Sequence, residues 1–295
     1  MNIQWYPGHM AKSKRLVSEN LKLVDAVIEL LDARIPKSSK NPDLDDILAG
    51  KPRVVALNKA DLADESISAE WEKWYSLKGR PVILVDSIRG KGINELKSTL
   101  RGIMKDRLER DKSRGRIFRA VRTMVVGIPN VGKSAFINKI AGKAVAVTGD
   151  RPGVTRGKQW VRLNEEFELL DTPGILWPRF EDPKVGLNLA FTGAIKDENL
   201  DTVGIASSLL ELLALQYPSE LSKRFKLGEI RDFRGAALLD ETGRKRGCIV
   251  SGGEVDLNRI AAIVLDEFRG GKIGRISLER PEHDKYEGGF LNDRR

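Results

Sequence analysis

Short apolar runs alternate with polar or amphipathic stretches along the first 170 residues. Four runs, at 53–57, 82–85, 120–126 and 167–170, are rich in valine, leucine or isoleucine and end in polar or glycine-containing turns. Runs of this length are typical of strands buried on both faces of a parallel sheet. The stretch 133–140 instead has the pattern of the first turns of a helix. The chain is therefore predicted to form an α/β fold, with a mostly parallel sheet and helices on both faces.

The pattern changes to a helical period after residue 204. Apolar residues form two faces at helical spacing: Leu209, Leu210, Leu212 and Leu213, and then Ile260, Ile263, Val264 and Leu265. They predict a mainly helical region. We expect four parts: a first domain (1–180), a connector (181–204), a smaller helical domain (205–283) and a flexible tail (284–295).

Composition narrows the classes of protein to which the chain can belong. With 295 residues, 41% of them hydrophobic, it can bury one substantial core and a second smaller one. The single cysteine, Cys248, cannot form an internal disulfide, and no apolar run approaches the length of a membrane span. The first 29 residues lack the pattern of a signal peptide. We expect a cytoplasmic protein with no membrane partner.

A glycine-rich motif follows the third apolar run. Residues 127–134, here called the phosphate loop, read Gly-Ile-Pro-Asn-Val-Gly-Lys-Ser. Its glycines allow backbone N–H groups to surround a phosphate, Lys133 can neutralise the β- and γ-phosphates, and the Ser134 hydroxyl can ligate Mg²⁺. Because the loop joins a strand to a helix N-terminus, we expect a nucleotide site lined by 130–135, including Asn130, Val131, Gly132 and Ala135. Ala135 replaces a hydroxyl residue that often stands there, which weakens the predicted contact with the α-phosphate.

A second motif points to the base of that nucleotide. Residues 58–61, here called the guanine motif, read Asn-Lys-Ala-Asp and follow the apolar run 53–57. The Asp61 carboxylate can accept hydrogen bonds from the ring N–H and amine of guanine, whereas adenine would present an acceptor nitrogen to it. We expect Asn58 near the N7 and O6 side of the base and the Lys59 stem over the ring. The turn at Ser87, which ends another strand, can add a backbone contact to O6.

Three further residues complete the predicted site. Asp171 follows the run 167–170 and can hold Mg²⁺ through water, while the Gly174 amide can contact the γ-phosphate. Thr155 lies in a Pro-Gly-containing stretch and can supply a second hydroxyl to the metal. An ordinary Pro-Gly turn is the alternative interpretation of that stretch, and it stays open.

The order of the two motifs is unusual. The guanine motif precedes the phosphate loop instead of following it, and the two are separated by about one third of the first domain. This reversed order predicts that the domain is circularly permuted. The segment after Gly174 is then free to leave the domain and connect the phosphate-sensing residues directly to the helical region.

The excess of positive charge lies in the same half as the motifs. The net charge is +9, and residues 1–204 carry 35 basic against 27 acidic side chains, whereas residues 205–295 carry 16 against 15. The segment 112–122 contains five basic residues and no acidic one, and it crosses the permutation splice. It is either a solvated linker or a contact for RNA phosphates.

With these motifs in this order, the chain resembles the circularly permuted GTPases of the YlqF/YawG type. Further support comes from four stretches: 5–12 (Trp-Tyr-Pro-Gly-His-Met-Ala-Lys), 32–36 (Asp-Ala-Arg-Ile-Pro), 171–178 (Asp-Thr-Pro-Gly-Ile-Leu-Trp-Pro) and 245–248 (Lys-Arg-Gly-Cys). The resemblance covers nearly the whole chain. It implies a circularly permuted Ras-like P-loop GTPase domain, followed by a smaller helical C-terminal domain that binds RNA.

The resemblance also implies a reaction and a partner. Ile175 stands where many Ras-like enzymes have a water-orienting glutamine, so another group must serve. GTPases with this replacement often use a K⁺ ion held by an asparagine that matches Asn130, and the family implicates a histidine that matches His9. The implied partner is the large ribosomal subunit with its rRNA, and no DNA is expected. His9 can equally be structural or contact rRNA.

Two functions are compatible with these residues. One is a Mg²⁺-dependent GTPase that binds the immature large subunit in the GTP state, is stimulated by it and leaves as GDP. The other is a GTP-gated rRNA-binding module in which hydrolysis is incidental.

Overall fold

The structure of the chain is a computed structural model that describes residues 8–113, 120–142, 159–163, 165–171, 182–230 and 234–282. Its strands are β1 (Ala26–Asp32), β2 (Arg53–Asn58), β3 (Val82–Val85), β4 (Val121–Val126), β5 (Gln159–Arg162) and β6 (Phe167–Asp171). The helices of the first domain are α1 (Gly8–Leu21), α2 (Asp43–Ile47), α3 (Glu65–Leu77), α4 (Ile93–Ile103), α5 (Lys105–Ser113) and α6 (Lys133–Ala141). They are followed by α7 (Pro183–Phe191), α8 (Thr202–Gln216), α9 (Pro218–Phe225), α10 (Gly235–Lys245) and α11 (Leu257–Arg269).

The strands form one six-stranded sheet in the order β3-β2-β1-β4-β6-β5. All neighbouring pairs are parallel except β5 and β6, which are antiparallel. The predicted mostly parallel sheet is thus confirmed, and β2, β3, β4 and β6 occupy the four predicted apolar runs. The central strand β1 and the edge strand β5 were not predicted.

Both faces of the sheet are covered by helices, as the α/β prediction requires. Along β1, Ile28 and Leu30 pack in a core with residues of α4 and α6, such as Leu96 and Phe136. Val27, from the alternate positions, packs on the opposite face with residues of α1 and α2. Leu31 packs with the aromatic residues of α3 on that opposite side of the strand. The alternation follows from the two-residue period of a strand.

The region after residue 202 forms a separate helical cluster around α8. Leu209, Leu210 and Leu213 of α8 are fully buried against residues of α10 and α11. Gly235 opens α10 where it crosses α8, and a Cβ there would lie 2.1 Å from the Ser207 carbonyl oxygen. The crossing therefore requires glycine, since any side chain would separate the two helices.

The expected connector contains the helix α7, which the sequence analysis did not predict. The Asp182 side chain caps it by accepting from the Lys184 N–H at 2.8 Å. Leu189 packs in the core of the first domain, while Ala190 and Phe191 pack in the helical cluster. Helix α7 thus joins the two cores.

The chain after α11 returns to the first domain without helical structure. Residues 270–282, here called the C-terminal strap, run past the loop after the guanine motif. The Ile276 N–H donates to the Leu62 carbonyl at 2.9 Å, and the Leu278 N–H donates to the Arg34 carbonyl at 2.8 Å. Among the residues that the structure describes, no helix is long and apolar enough to cross a membrane.

Candidate nucleotide-binding site

The two motifs meet at the middle of the sheet. Strand β2 ends at Asn58, where the guanine motif begins, and β4 ends at Val126, just before the phosphate loop. Only β1 separates these strands. From β1 the chain continues to β2 and β3 on one side of the sheet, whereas β4, β6 and β5 lie on the other side. Open α/β sheets bind ligands outside the carboxyl ends of their strands at such a switch point. The topology therefore brings the two separated motifs to one site.

The backbone of the phosphate loop leaves no space for side chains at its glycines. Gly132 has a φ of +97°, and a Cβ on it would lie 2.5 Å from the Asn58 Nδ2 atom. A Cβ on Gly127 would lie 2.5 Å from the Leu30 carbonyl oxygen. Asn130 also has a positive φ, of 55°, which asparagine tolerates better than most residues. These conformations turn the loop around the N-terminus of α6, a geometry that suits an anion.

Lys133 lies over this loop. Its Nζ donates to the carbonyl oxygens of Gly127 at 3.1 Å and Ile128 at 2.7 Å, and the residue is only 9% exposed. The ammonium is therefore held at the loop by its own backbone. Ser134 and Ala135 follow in the first turn of α6 and are partly exposed.

Asn58 joins the guanine motif to the phosphate loop. Its Nδ2 donates to the Val131 carbonyl at 2.8 Å, and its Oδ1 accepts from the Ser87 N–H at 3.2 Å and the Ser87 Oγ at 2.6 Å. Asn58 and Ser87 are both buried. One side chain thus fixes the relative position of three predicted nucleotide-binding segments, and its own contact with guanine stays a prediction.

Lys59 makes a second connection between the same segments. It has a φ of 60°, and its Nζ lies 2.8 Å from the Asn130 carbonyl oxygen and 3.1 Å from Asp32 Oδ2. Asp32 is buried at the end of β1, where it also accepts two hydrogen bonds from the Arg34 guanidinium at 2.8 and 3.0 Å. Burial raises the pKa of Asp32, but the Arg34 and Lys59 cations outweigh it, so this pKa lies well below its usual value. Asp32 is therefore a fixed anion that orients the stem of Lys59.

Asp61 is the predicted reader of the base. Its carboxylate lies 3.8 Å from the Arg89 guanidinium, which is 76% exposed. An exposed pair at this distance contributes little to stability. The Asp61 carboxylate is thus not committed to a strong interaction with Arg89 and can accept from a ligand.

Asn130 connects the phosphate loop to the helical region. Its Nδ2 donates to the Gly193 carbonyl at 2.7 Å, just after α7. Arg269, at the end of α11, binds the same turn by donating to the carbonyls of Ala190 and Phe191, and it forms a bidentate pair with Asp197. The phosphate loop therefore touches a turn that is held by the last helix.

The side chains of four predicted site residues lie outside the part of the chain that the structure describes. Thr155 and Gly174 lie outside the described residues. Asp171 ends β6 and His9 lies in the first turn of α1, but their side chains lie outside the described part of the chain. The assignments of these four residues stay predictions.

Sequence reasoning missed two residues beside the motifs. Asp32 and Arg34 were noted only as part of a family-like stretch, yet they form a buried ion pair against Lys59. A polar residue directly after an apolar run could have revealed Asp32, but the run at 26–31 is interrupted by Glu29. The run 167–170 also contains a glutamate, but it leads into the predicted Asp171 and Gly174 contacts, whereas the run at 26–31 had no such support.

The fold and the site define a circularly permuted P-loop GTPase. A family model described as "50S ribosome-binding GTPase" matches residues 122–222, starting at the strand before the phosphate loop, while the guanine motif precedes the match. A ribosome biogenesis GTPase A of Bacillus licheniformis is 49% identical over 282 residues, which cover 96% of this chain and 99% of that protein. A Thermotoga maritima protein of the same name is 32% identical over 280 residues, or 95% of each chain. This chain belongs to the ribosome biogenesis GTPase A family, also called YlqF, and is a GTPase of ribosome biogenesis.

Solved structures agree with this assignment. The GDP-bound structure of TM YlqF has a TM-score of 0.68 and 28% identity, and the match covers 91% of this chain and all of that one (100%). The GNP-bound YlqF from T. maritima has a TM-score of 0.67, also at 28% identity, over 92% of this chain and 99% of that one. The predicted family, fold class and GTP-hydrolysing activity are confirmed.

Proposed function

We propose that this GTPase binds the immature large (50S) ribosomal subunit in its GTP state, hydrolyses GTP faster there, and leaves as the GDP form. The observation that carries this proposal is the bond between Asn130 of the phosphate loop and the Gly193 carbonyl. A change at the phosphates that moves Asn130 reaches the turn that Arg269 of α11 holds. The helical region can therefore respond to the nucleotide, as a GTP-dependent binding cycle requires.

The nucleotide is held by the two motifs. The backbone of 130–135 and Lys133 bind the phosphates. Asp61 recognises guanine, and the Lys59 stem covers its ring. Asn58 and Ser87 hold these segments in their relative positions. Similarity to the T. maritima structures named for GDP and GNP supports this arrangement.

Mg²⁺ binding rests on Ser134, Thr155 and, through water, Asp171. Of these ligands, Ser134 has a described side chain, and its hydroxyl stands in the first turn of α6 beside Lys133. A hydroxyl next to a phosphate-binding loop fits the preference of Mg²⁺ for oxygen ligands and substrate phosphates. When bound, the metal neutralises charge on the β- and γ-phosphates.

Water activation is assigned to His9, and the charge near the leaving group to a K⁺ ion bound partly by Asn130. Both assignments rest on the family resemblance and on Ile175, which cannot orient water. Gly174 and Thr155 are expected to contact the γ-phosphate and the metal.

The helical region offers a surface for rRNA. Arg224 at the end of α9 and Arg246 after α10 both pair with Glu267, so the two helix ends converge. Lys223, Lys226 and Lys245 are exposed beside them. Basic groups clustered on one end of a domain attract RNA phosphates, and binding through them weakens as salt rises.

Steady-state GTP turnover tests the proposal. It is measured with and without 50S particles, in K⁺ and in Na⁺, for the wild type, Asn130→Gly and His9→Ala. We expect particles to raise wild-type turnover in K⁺, and Asn130→Gly to lose the K⁺ dependence while keeping the backbone freedom that the positive φ requires. His9→Ala should keep nucleotide binding and lose stimulation. If neither particles nor K⁺ raise turnover, the GTP-gated rRNA-binding module is the better description.

A further inference from the structure

The loop that follows Asp61 is bound along its length by the C-terminal strap. The strap contacts four backbone groups around Asp61: the Ala60 carbonyl just before it, and the Leu62 carbonyl, the Ala63 carbonyl and the Asp64 N–H after it. It comes from the far end of the chain, because its residues are more than 200 positions away from the loop. Two of these four contacts come from one side chain, that of Arg275.

Arg275 spans the residue that reads the base. Its Nη2 donates to the Ala60 carbonyl at 3.1 Å and its Nε donates to the Ala63 carbonyl at 2.8 Å, while Nη1 lies 3.0 Å from Glu65 Oε2. Asp61 lies between the two carbonyls that the guanidinium binds. The planar guanidinium fixes the distance between these carbonyls, which a flexible lysine cannot do.

The backbone of the strap reinforces this contact. The Ile276 N–H donates to the Leu62 carbonyl at 2.9 Å, and the Ser277 Oγ accepts from the Asp64 N–H at 3.1 Å. Ser277 is in turn bonded to the Tyr217 hydroxyl, through its carbonyl at 3.0 Å and its N–H at 3.1 Å. The part of the C-terminal strap that binds this loop is therefore anchored in the helical region as well as in the first domain.

We infer that Arg275 is a positioning residue for guanine specificity: it holds the loop that carries Asp61 so that the carboxylate meets both N–H groups of the base. The inference rests on the proposed role of Asp61. A two-point contact demands an accurate direction of the carboxylate, whereas a one-point contact tolerates its rotation.

Comparing GDP with IDP isolates this role, because inosine lacks the exocyclic amine and keeps the ring N–H. The dissociation constants of both nucleotides are measured by calorimetry for the wild type, Arg275→Ala, Arg275→Lys, Arg280→Ala and Asp61→Asn. Arg280 is the matched control, since it is also an arginine of the strap but pairs with the half-exposed Glu70 of α3. Thermal unfolding of each variant reports whether the fold is kept.

The wild type should bind GDP at least about tenfold more tightly than IDP, as expected for a hydrogen bond to a charged group. Arg275→Ala should weaken GDP roughly fivefold and IDP less than about twofold, because a misaligned carboxylate loses mainly the second contact. Arg275→Lys, which keeps the charge beside Glu65, should show the same fall in the GDP-to-IDP ratio even if the alanine variant does not fold. Arg280→Ala should keep the wild-type ratio.

Two results would overturn the inference, and they are distinguishable. If Arg275→Ala and Arg275→Lys weaken GDP and IDP equally, or behave like Arg280→Ala, then Arg275 does not position Asp61, while the guanine-reading role of Asp61 survives. If the wild type does not prefer GDP to IDP and Asp61→Asn changes neither constant, then the role of Asp61 fails, and the inference fails with it.

Discussion

Replacing Arg34 by methionine should destabilise the protein strongly. Arg34 and Asp32 are bidentate partners with only 1% and 2% of their side chains exposed. Removal of one partner leaves the other as a buried charge, which costs about 3–5 kcal/mol. Lys59 still lies 3.1 Å from Asp32 and offsets part of this cost, so we expect a loss of about 3 kcal/mol in the free energy of unfolding.

Arg34 also connects β1 to the end of α11. Its guanidinium lies 5.3 Å from the centre of the Phe268 ring and 3.4 Å from the Arg269 carbonyl oxygen. Methionine keeps much of the apolar contact with the ring, so the loss measured at Arg34→Met is mainly electrostatic. The double variant Asp32→Leu/Arg34→Met removes both charges and should recover at least half of the stability.

Urea unfolding followed by circular dichroism measures this effect, and its pH dependence gives a second test. In the wild type the pKa of Asp32 is lowered from 3.8, so its stabilisation is present at neutral pH and is lost only as the pH falls through the folded pKa. Without Arg34 the pKa of the buried carboxyl rises, and protonation relieves the cost of its burial. The difference between wild type and variant should therefore shrink as the pH falls from 7 towards 4. A loss below about 1 kcal/mol at pH 7, or a difference that does not change with pH, would refute this reasoning.

Three further predictions follow from single side chains. Lys133→Ala should weaken GTP binding at least about tenfold in a fluorescent-nucleotide titration, because charge-assisted contacts with the phosphates are lost. Unchanged affinity would contradict the phosphate-binding role of Lys133. Gly132→Ala should lower the free energy of unfolding by about 1–2 kcal/mol because of the positive φ alone. It should also weaken GTP binding, because the new Cβ displaces Asn58. Affinity and stability equal to those of the wild type would show that the loop adapts. Glu29→Gln should lower the free energy of unfolding in urea by less than about 1 kcal/mol at pH 7. Burial raises the pKa of Glu29, and Arg53 at 3.2 Å compensates its ionised form only partly, so little is lost with the charge. A loss as large as that of Arg34→Met would contradict this prediction.

The parts of the fold that local sequence patterns determine were predictable. The strands β2 and β3 carry apolar runs, and α6 follows directly from the phosphate loop. The strands β4 and β6 each contain a charged residue, Arg122 or Glu168, but both lead into a predicted nucleotide-binding segment. The central strand β1 also contains a charged residue, Glu29, but it leads into neither the guanine motif nor the phosphate loop, so it was missed. Arg53, from the neighbouring β2, lies 3.2 Å from the Glu29 carboxylate and compensates part of the cost of burying it.

The contacts that complete the site could not be predicted from local patterns. The pairing of Asp32 with Lys59 depends on β1 and β2 being neighbours, which strand order decides and sequence spacing does not. The C-terminal strap has no hydrophobic period, and its hydrogen bonds join residues more than 200 positions apart. Its Arg275 was therefore indistinguishable from a solvated surface arginine in the sequence.

The central claim is that residues 58–61 and 127–134 enclose the same guanine nucleotide. Hydrogen–deuterium exchange during a GDP titration tests it most directly, because peptides covering the two segments report separately. Both should gain protection with the same half-saturating GDP concentration, and both should lose it together in Lys133→Ala. Protection of only one segment, or half-saturation at clearly different concentrations, would show that the segments do not share a ligand.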